Sequence, residues 1–491
     1  MSSLLGKSWI RIHVMMLLVA AGACEPSATD QLHVPLTSHL GEPVERDFSE
    51  IRRSRVLRMI TEYGAGTYFI EKGNQTGFEY QLVRSFARQH NLALEVIIPG
   101  EGQDPYELLY SGAGDIIASQ YTVSEEKSEI VSFTRPYSTE DMLLVFSPSM
   151  RVHPSTLDDA VEQGVFISVR RNTAHYEALV KKREAGYGIQ IDLLEDSMTP
   201  ERVLNALSKG QLDAAVVDDN MFNALKGNFP DLVAGPVLSR GHHKAWAVRS
   251  NASDLKNEIN RYLYRHYRVS GDGDYISSTF LRVLRSHFFG SNGTIASLFR
   301  SSVIENNAIV ASPFESLVKS VADSAQIDWM MVNAVISQES SFNPSSKSWA
   351  GAVGLMQVMP QYSRETYEDL YDPEINVREG VRILKEHYEH YSYLPDERTR
   401  WAFALATYNA GLGHVADARR LAIDMNKDPN NWEDVSDALL KLMQKQYNQH
   451  ARYGYVRGIE TVKYVNEVHN RFLTYQTILN GGNESEMLTQ R

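Results

Sequence analysis

The sequence predicts a multidomain protein, a two-lobed α/β part followed by a mainly α part. Three observations predict it. The chain has 491 residues, enough for about two to four domains of ordinary size. Up to about residue 270, short apolar strands alternate with amphipathic helices, the pattern of a parallel α/β sheet. Beyond that point strand-like alternation gives way to helical periodicity.

The first element is a targeting segment, residues 1–23. Lys7 and Arg11 precede an apolar run from Val14 to Ala21. The run is shorter than the ~20 residues that span a bilayer and suits a signal-peptide core. Ala21-Gly22-Ala23-Cys24 resembles a bacterial lipobox, which implies cleavage before Cys24 and a lipid on its sulfur. Ala21 stands where that motif usually has Leu, and Ala21-x-Ala23 also fits an ordinary signal peptidase site with the same cut. A secreted protein that merely begins with Cys24 therefore stays open. Glu25 follows, rather than the Asp of inner-membrane retention, so the resemblance points to the periplasmic face of the outer membrane. One acyl chain anchors weakly, and stable attachment takes more than one. Cys24 is the sole cysteine, which excludes an intramolecular disulfide and a cysteine-rich zinc site.

Residues 24–48 are polar and contain proline, and read as a tether. The α/β part is expected over 49–269. Arg55–Thr61, Leu92–Ile98 and Asp115–Ala118 read as strands, with a helix over 79–90 that buries Tyr80, Val83, Phe86 and Ala87. A second unit follows, with strands at Gly164–Val169 and Asp213–Val217 and helices over 174–183 and 200–209. Ser270-Gly271-Asp272-Gly273-Asp274 is a turn-rich break, and the helical part is expected over 270–491. Ser312-Pro313-Phe314-Glu315 reads as a capping box with proline at the first helical position. The helix after it places Phe314, Leu317, Val318, Val321 and Ala325 on one face. Asp328 can cap the next helix. A last helix, over about 458–475, turns Val462, Val465, Val468 and Phe472 inward, and 480–491 is a polar tail.

The net charge is −12, which argues against non-specific nucleic-acid binding. Scattered histidines such as His242-His243 lack partners at metal-ligand spacing, and no cofactor is implied.

Val332, Val335 and Ile336 precede Glu339 by seven, four and three residues, which puts this carboxylate on the apolar face of its helix. Such a site disfavours the charged form and raises the pKa, as glycoside cleavage requires of its acid. Helix position alone does not single out Glu339, since most helical glutamates are solvated or paired. The surrounding motifs do. Glu339-Ser340, Gly354-Leu355-Met356-Gln357, Tyr408-Asn409-Ala410-Gly411 and Glu460-Thr461-x-x-Tyr464-Val465 follow in order.

Together, over about 290–475, they resemble the soluble-lytic-transglycosylase family, which has a goose-type lysozyme fold. Asp372-Pro373-x-x-Asn376 looks like a further feature of it. The resemblance implies Glu339 as the catalytic acid/base, and substrate contacts from Ser348, Gln357, Met359, Tyr408, Asn409 and Tyr464. It places Tyr408 in a hydrogen bond near the glutamate or the substrate. Glu460 and Tyr464 share a helix face, where they brace Tyr408 or the cleft floor, or are a solvated Glu and a packing Tyr. Val353 departs from the family, where a small polar residue can stand, and removes one substrate contact at most. The substrate implied is the peptidoglycan glycan strand. Glu339 protonates the oxygen between N-acetylmuramic acid and N-acetylglucosamine, then accepts the C6 hydroxyl proton as that oxygen attacks C1 to give a 1,6-anhydro end. Hydrolysis of the same bond is the close alternative, and it adds one water to the product.

Residues 50–269 resemble the periplasmic solute-binding family of the type that takes polar amino acids. The stretches are Gly77-Phe78-Glu79-Tyr80, Gly114-Asp115-Ile116, Thr122-Val123-Ser124-Glu125-Glu126-Lys127, Phe133-Thr134-Arg135-Pro136-Tyr137 and Leu212–Asp218. The resemblance implies one lobe over 50–145 with 239–269 returning, a second over 146–238, and closure by a hinge. Lys127 stands where the family has a carboxylate-binding Arg, and lacks its bidentate fork. A solvated surface lysine is the other reading of Lys127. Asp218 matches the aspartate that takes an α-amino group. Arg171 and Thr173 match a second carboxylate-contacting stretch, with Asn172 where Gly is usual. The ligand implied is an amino acid or a muropeptide's peptide stem, and the fusion implies a sensor that regulates the enzyme. A receptor or wall anchor with an inactive wall-binding half is the rival, and muropeptide release separates them.

Overall fold

The computed structural model describes residues 40–64, 66–71, 74–100, 103–171, 173–195, 198–270, 275–296 and 312–479. The targeting segment, Cys24, most of the tether, Asn172, the 271–274 turn and the tail from 480 lie outside the described residues.

The α/β part holds two five-stranded sheets. The strands of the first are β1 (Val56–Ile60), β4 (Ala93–Ile97), β5 (Ile116–Ile117), β6 (Val131–Phe133) and β12 (Ala247–Arg249), in the order β4-β1-β5-β12-β6. β1 runs parallel to β4 and β5, and β12 returns antiparallel between β5 and β6. The second sheet runs β11-β7-β10-β8-β9, with β7 at Ser138–Phe146, β8 at Phe166–Arg170, β9 at Gln190–Leu194, β10 at Ala214–Asp218 and β11 at Val233–Lys244. A small hairpin, β2 (Phe69–Glu71) and β3 (Asn74–Thr76), stands apart from both. The helix Phe78–Gln89 buries Phe78, Leu82, Val83 and Phe86, a helical stripe that covers the first sheet.

Two boundaries differ from the sequence expectation. The long strands β7 and β11 pair with each other along the second sheet, so that sheet starts at Ser138 rather than at 146. Strand pairing, not the lobe's chain limits, decides membership. The break near 270 does not end the α/β core either. In the helix Thr279–Phe289, Leu281, Leu284 and Phe288 bury into that core, and Ile295 follows.

In the helical part, the helix Trp329–Ser340 is buried from Met330 to Ser337. Asp328 caps it by accepting from the Met330 amide at 2.8 Å. It packs against Glu315–Ala325 and Gly458–Leu479, with Pro373–His390 and Glu397–Ala410 completing the bundle. The capping box expected at Ser312 does not form. The helix starts at Glu315, two residues later than a Ser312 cap implies. The Ser312 hydroxyl has no hydrogen-bond partner among the described residues, and the Glu315 carboxylate meets Lys319 at 2.6 Å.

The hairpin joins the two parts. Ile70, on β2, is 5% exposed and lies in the hydrophobic core of the helical part. Ser337, on the buried helix, donates to Asn74 Oδ1 at 3.4 Å. Thr474 bonds Tyr68 and Ser337 bonds Tyr475, which ties the last helix to the same place.

Candidate functional site

Glu339 is the penultimate residue of the helix Trp329–Ser340. Ser341 and Phe342 follow in left-handed backbone, at φ 51° and 62°. Non-glycine residues there cost about 1–2 kcal/mol each, and burial of Phe342 holds the bend. The chain thus leaves the helix one residue after the glutamate. Strain of this kind gathers at functional sites.

Tyr464, on Gly458–Leu479, donates its hydroxyl hydrogen to Glu339 Oε1 at 2.6 Å. Among the described residues Glu339 has no ion-pair partner. Burial therefore dominates and raises its carboxyl to about 7, against the lowering pull of the Tyr464 hydrogen bond. Burial, and then the charge of Glu339, push the Tyr408 and Tyr464 phenols above their ordinary range. Both remain neutral donors at any working pH.

Tyr408 bonds the neighbouring loop and not the glutamate: its hydroxyl donates to the Met356 carbonyl at 2.9 Å. That loop is built on Asn376, which is fully buried. Asn376 Oδ1 accepts from the Met356 amide at 2.8 Å. Its Nδ2 donates to the Val353 carbonyl at 2.9 Å and the Leu370 carbonyl at 2.8 Å. Gly354 sits at φ 80°, and a Cβ there would collide with the Asn376 amide and the Leu370 carbonyl. Gly380 lets the Met356 side chain lie directly on the helix Pro373–His390. The Gly-Leu-Met-Gln run is thus a backbone cradle fixed by one buried amide.

Other expected contacts are spent on the same loop. Gln357 Nε2 donates to the carbonyls of Ser346 at 3.1 Å and Gly354 at 3.0 Å. The Ser348 hydroxyl accepts from the Ala352 amide at 3.0 Å. Met359 is half-buried, and Asn409 is exposed near the end of Glu397–Ala410. Val353 is fully buried, so its side chain faces the core and the expected loss of a substrate contact does not arise there. Glu460 is exposed and pairs with Arg457 at 3.4 Å. It braces neither Tyr408 nor the cleft floor: it shares a helix face with Tyr464 but lies one turn nearer the helix start, where that face is exposed. Sequence reasoning passed over Trp349, which is 88% exposed beside the loop. Arg457 lies over its ring at 5.6 Å. A bare tryptophan inside a glycine-bearing loop was the available signal.

The solute cleft is arranged differently. Asp218 ends β10 and accepts from Lys244 Nζ at 2.7 Å, with His175 Nε2 at 3.0 Å. Lys244 is buried and also donates to Thr122 at 3.0 Å. Burial pushes the Asp218 carboxyl up, but Lys244 and His175 outweigh it and hold it below the ordinary range. Burial likewise raises nearby Glu140 to about 7, with Lys244 opposing. Lys127 is buried and meets Glu177 at 3.3 Å, which excludes the solvated surface reading. Arg171 is exposed. Its neighbour Arg170, the last residue of β8, reaches Glu62 beside the first sheet at 3.1 Å. Thr173 is committed locally. Its hydroxyl donates to the Arg170 carbonyl at 2.8 Å and caps Ala174–Glu184. Lys244 was missed, since nothing around it in sequence marks it.

Comparison with known proteins divides the chain at the same place. Residues 57–280 match the model for bacterial extracellular solute-binding proteins, family 3, and residues 316–433 match the Transglycosylase SLT domain. A membrane-bound lytic murein transglycosylase F of Desulfosudis oleivorans is 31% identical over 431 residues, 88% of this chain and 91% of the relative. One from Pseudomonas fluorescens is 29% identical over 445 residues, 89% of each chain. Among solved structures, a mutant of ArgBP from T. maritima is 25% identical, with a TM-score of 0.40, over 49% of this chain and 98% of that one.

Proposed function

We propose roles for individual residues from the premise that the chain belongs to the membrane-bound lytic murein transglycosylase F family. It is a murein-degrading lytic transglycosylase whose N-terminal part is solute-binding-like. Glu339 is the acid/base. It meets the glycan protonated and gives its proton to the oxygen between N-acetylmuramic acid and N-acetylglucosamine. The C1–O bond breaks, and the substrate's own 2-acetamido group steadies the cation. Glu339, now a carboxylate, takes the proton of the muramoyl C6 hydroxyl as that oxygen closes on C1. The product ends in a 1,6-anhydro sugar, no water is consumed, and Glu339 regains its proton.

One observation carries this reading: a carboxyl at about 7 with a tyrosine hydroxyl as its sole hydrogen-bond partner among the described residues. Such a group is half protonated at neutral pH and can both give and take a proton. Tyr464 orients it. The loop held by Asn376 and Tyr408, with Ser348, Gln357, Met359 and Asn409, forms the wall along which the glycan lies. Mass spectrometry of released fragments tests the reaction. Anhydro ends are expected, ends heavier by one water identify a hydrolase, and no release from murein sinks the enzymatic reading.

The solute-binding-like part is regulatory in this proposal. An amino acid or peptide stem that enters its cleft competes with Lys244 for Asp218 and with Glu177 for Lys127, and Thr173 borders the same cleft. Arg171 has no part. Cys24 carries the lipid that holds the chain at the periplasmic face of the outer membrane. No helix among the described residues is long and apolar enough to cross a membrane, and the relatives are named membrane-bound. Fractionation of a Cys24→Ser protein checks this, with release into the soluble periplasm expected.

A further inference from the structure

An open groove of about 470 Å³ lies where hairpin β2–β3 meets the helical part. Asn74, Gln75, Gln81, Arg84, Ser341 and Arg471 line it. The volume falls within the roughly 300–1,000 Å³ of ordinary ligand sites. The groove adjoins the catalytic helix. Ser341 follows Glu339 by two residues, and Arg471 donates to Gln338, the residue before Glu339, at 2.7 Å.

Its charge is unbalanced. Arg471 is 7% exposed, and its Nε has no hydrogen-bond partner. Arg84 is half-buried, with its guanidinium 5.7 Å from the Tyr80 ring centroid. Neither arginine forms an ion pair among the described residues. Charges withdrawn from water are ordinarily paired, and this chain has an excess of acidic groups, with a net charge of −12. Glu71 and Glu467 lie nearby, yet among the described residues no carboxylate is at ion-pair distance from either guanidinium. Two such guanidiniums in one groove suit a carboxylate, which their planar fork grips with two parallel hydrogen bonds. The amides of Asn74 and Gln81 and the Ser341 hydroxyl suit peptide bonds, while Tyr68 and Tyr80 hold the Gln75 amide. Glu71, at the rim, suits an ammonium.

We propose that this groove binds the peptide stem borne by the glycan, with Arg84 and Arg471 holding a stem carboxylate. The proposal rests on the transglycosylase reading and adds a specificity site to it, one shared between the two parts of the chain. A glycan lying over Glu339 carries its stem on the muramoyl sugar at the broken bond. The segment Gln338–Ser341 borders both the reacting bond and the groove.

The test compares cleavage of stem-bearing strands with strands stripped by an amidase, using full-length protein. The parent is expected to favour stem-bearing strands. Arg84→Gln should lower the ratio of the two rates by about tenfold or more, as for loss of a charged hydrogen bond, and Arg84→Lys should fall between. A ratio unchanged in Arg84→Gln overturns the proposal. Cleavage of neither strand by the parent counts instead against the transglycosylase reading. Calorimetry with free stem peptide is the second arm. Binding weakened by Arg84→Gln supports the groove. Binding that survives it but is lost in Asp218→Asn puts the peptide in the solute cleft and ends the proposal.

Discussion

Glu339 and Asp218 are both carboxylates drawn away from water, and the chain treats them in opposite ways. Glu339 receives one neutral hydroxyl and no cation, so burial wins and its acid form is kept near neutrality. Asp218 receives an ammonium and an imidazole, so it stays ionised despite burial. Acid/base chemistry needs a carboxyl left without compensation. A binding carboxylate in a cleft that is already satisfied has to be won from an internal partner. On the roles proposed for them, one site is ready to react while the other waits on competition.

The largest effect that could break this contrast is on turnover. Glu339→Gln keeps the shape and the Tyr464 partner but cannot shuttle the proton. Anhydromuropeptide release should fall by about 10²–10⁴-fold or more, and release at the parent rate would end the assignment. Next comes Lys244→Met, which strands Asp218 and Glu140 without their cation. Breaking one side of a buried pair costs about 3–5 kcal/mol. Denaturant unfolding should show that loss, and Asp218→Asn in the same chain should recover part of it.

Asn376→Ala leaves the Met356 amide and the carbonyls of Val353 and Leu370 without partners. Each buried group costs about 1–3 kcal/mol, so thermal unfolding should fall by several degrees, and kcat with it.

The smallest change sharpens the comparison through pH. The folded Glu339 carboxyl lies above its unfolded value of roughly 4.3, so its charged form is disfavoured in the fold. Stability is lost as pH rises from near 4.5 toward about 7, and Glu339→Gln should gain stability over the parent at pH 8 more than at pH 5. Cleavage needs the acid form and should decline above about 7. Tyr464→Phe removes a lowering influence, so the alkaline limb of its rate profile should move to higher pH. A limb that stays or moves down would contradict the electrostatic role given to Tyr464.

Much of this was legible in the sequence because it is local. The spacing of Val332, Val335 and Ile336 ahead of Glu339 read as a buried helix, which is found at Trp329–Ser340, and strand alternation found β1, β4 and β10 within a residue or two. What escaped depends on contacts between distant residues. Lys244 meets Asp218 because β10 and β11 flank β7 and run to the same edge of one sheet, which no window of sequence reveals. The Ser312 capping box failed because the helix begins only at Glu315, with Phe314 at the cap position. Val353 was read by its motif neighbours, while its burial is decided by a bridge to Val358.

The seat of Ile70 has a practical result for anyone who would cut this molecule in two. An isoleucine of the first part fills space among the helices of the second, beside the Ser337–Asn74 contact. A fragment beginning at 312 would keep Glu339 yet carry an open apolar socket in the core of the helical part. Such a fragment should be stickier and softer than the intact chain, and its poor activity would reflect a missing wedge as readily as a missing regulator.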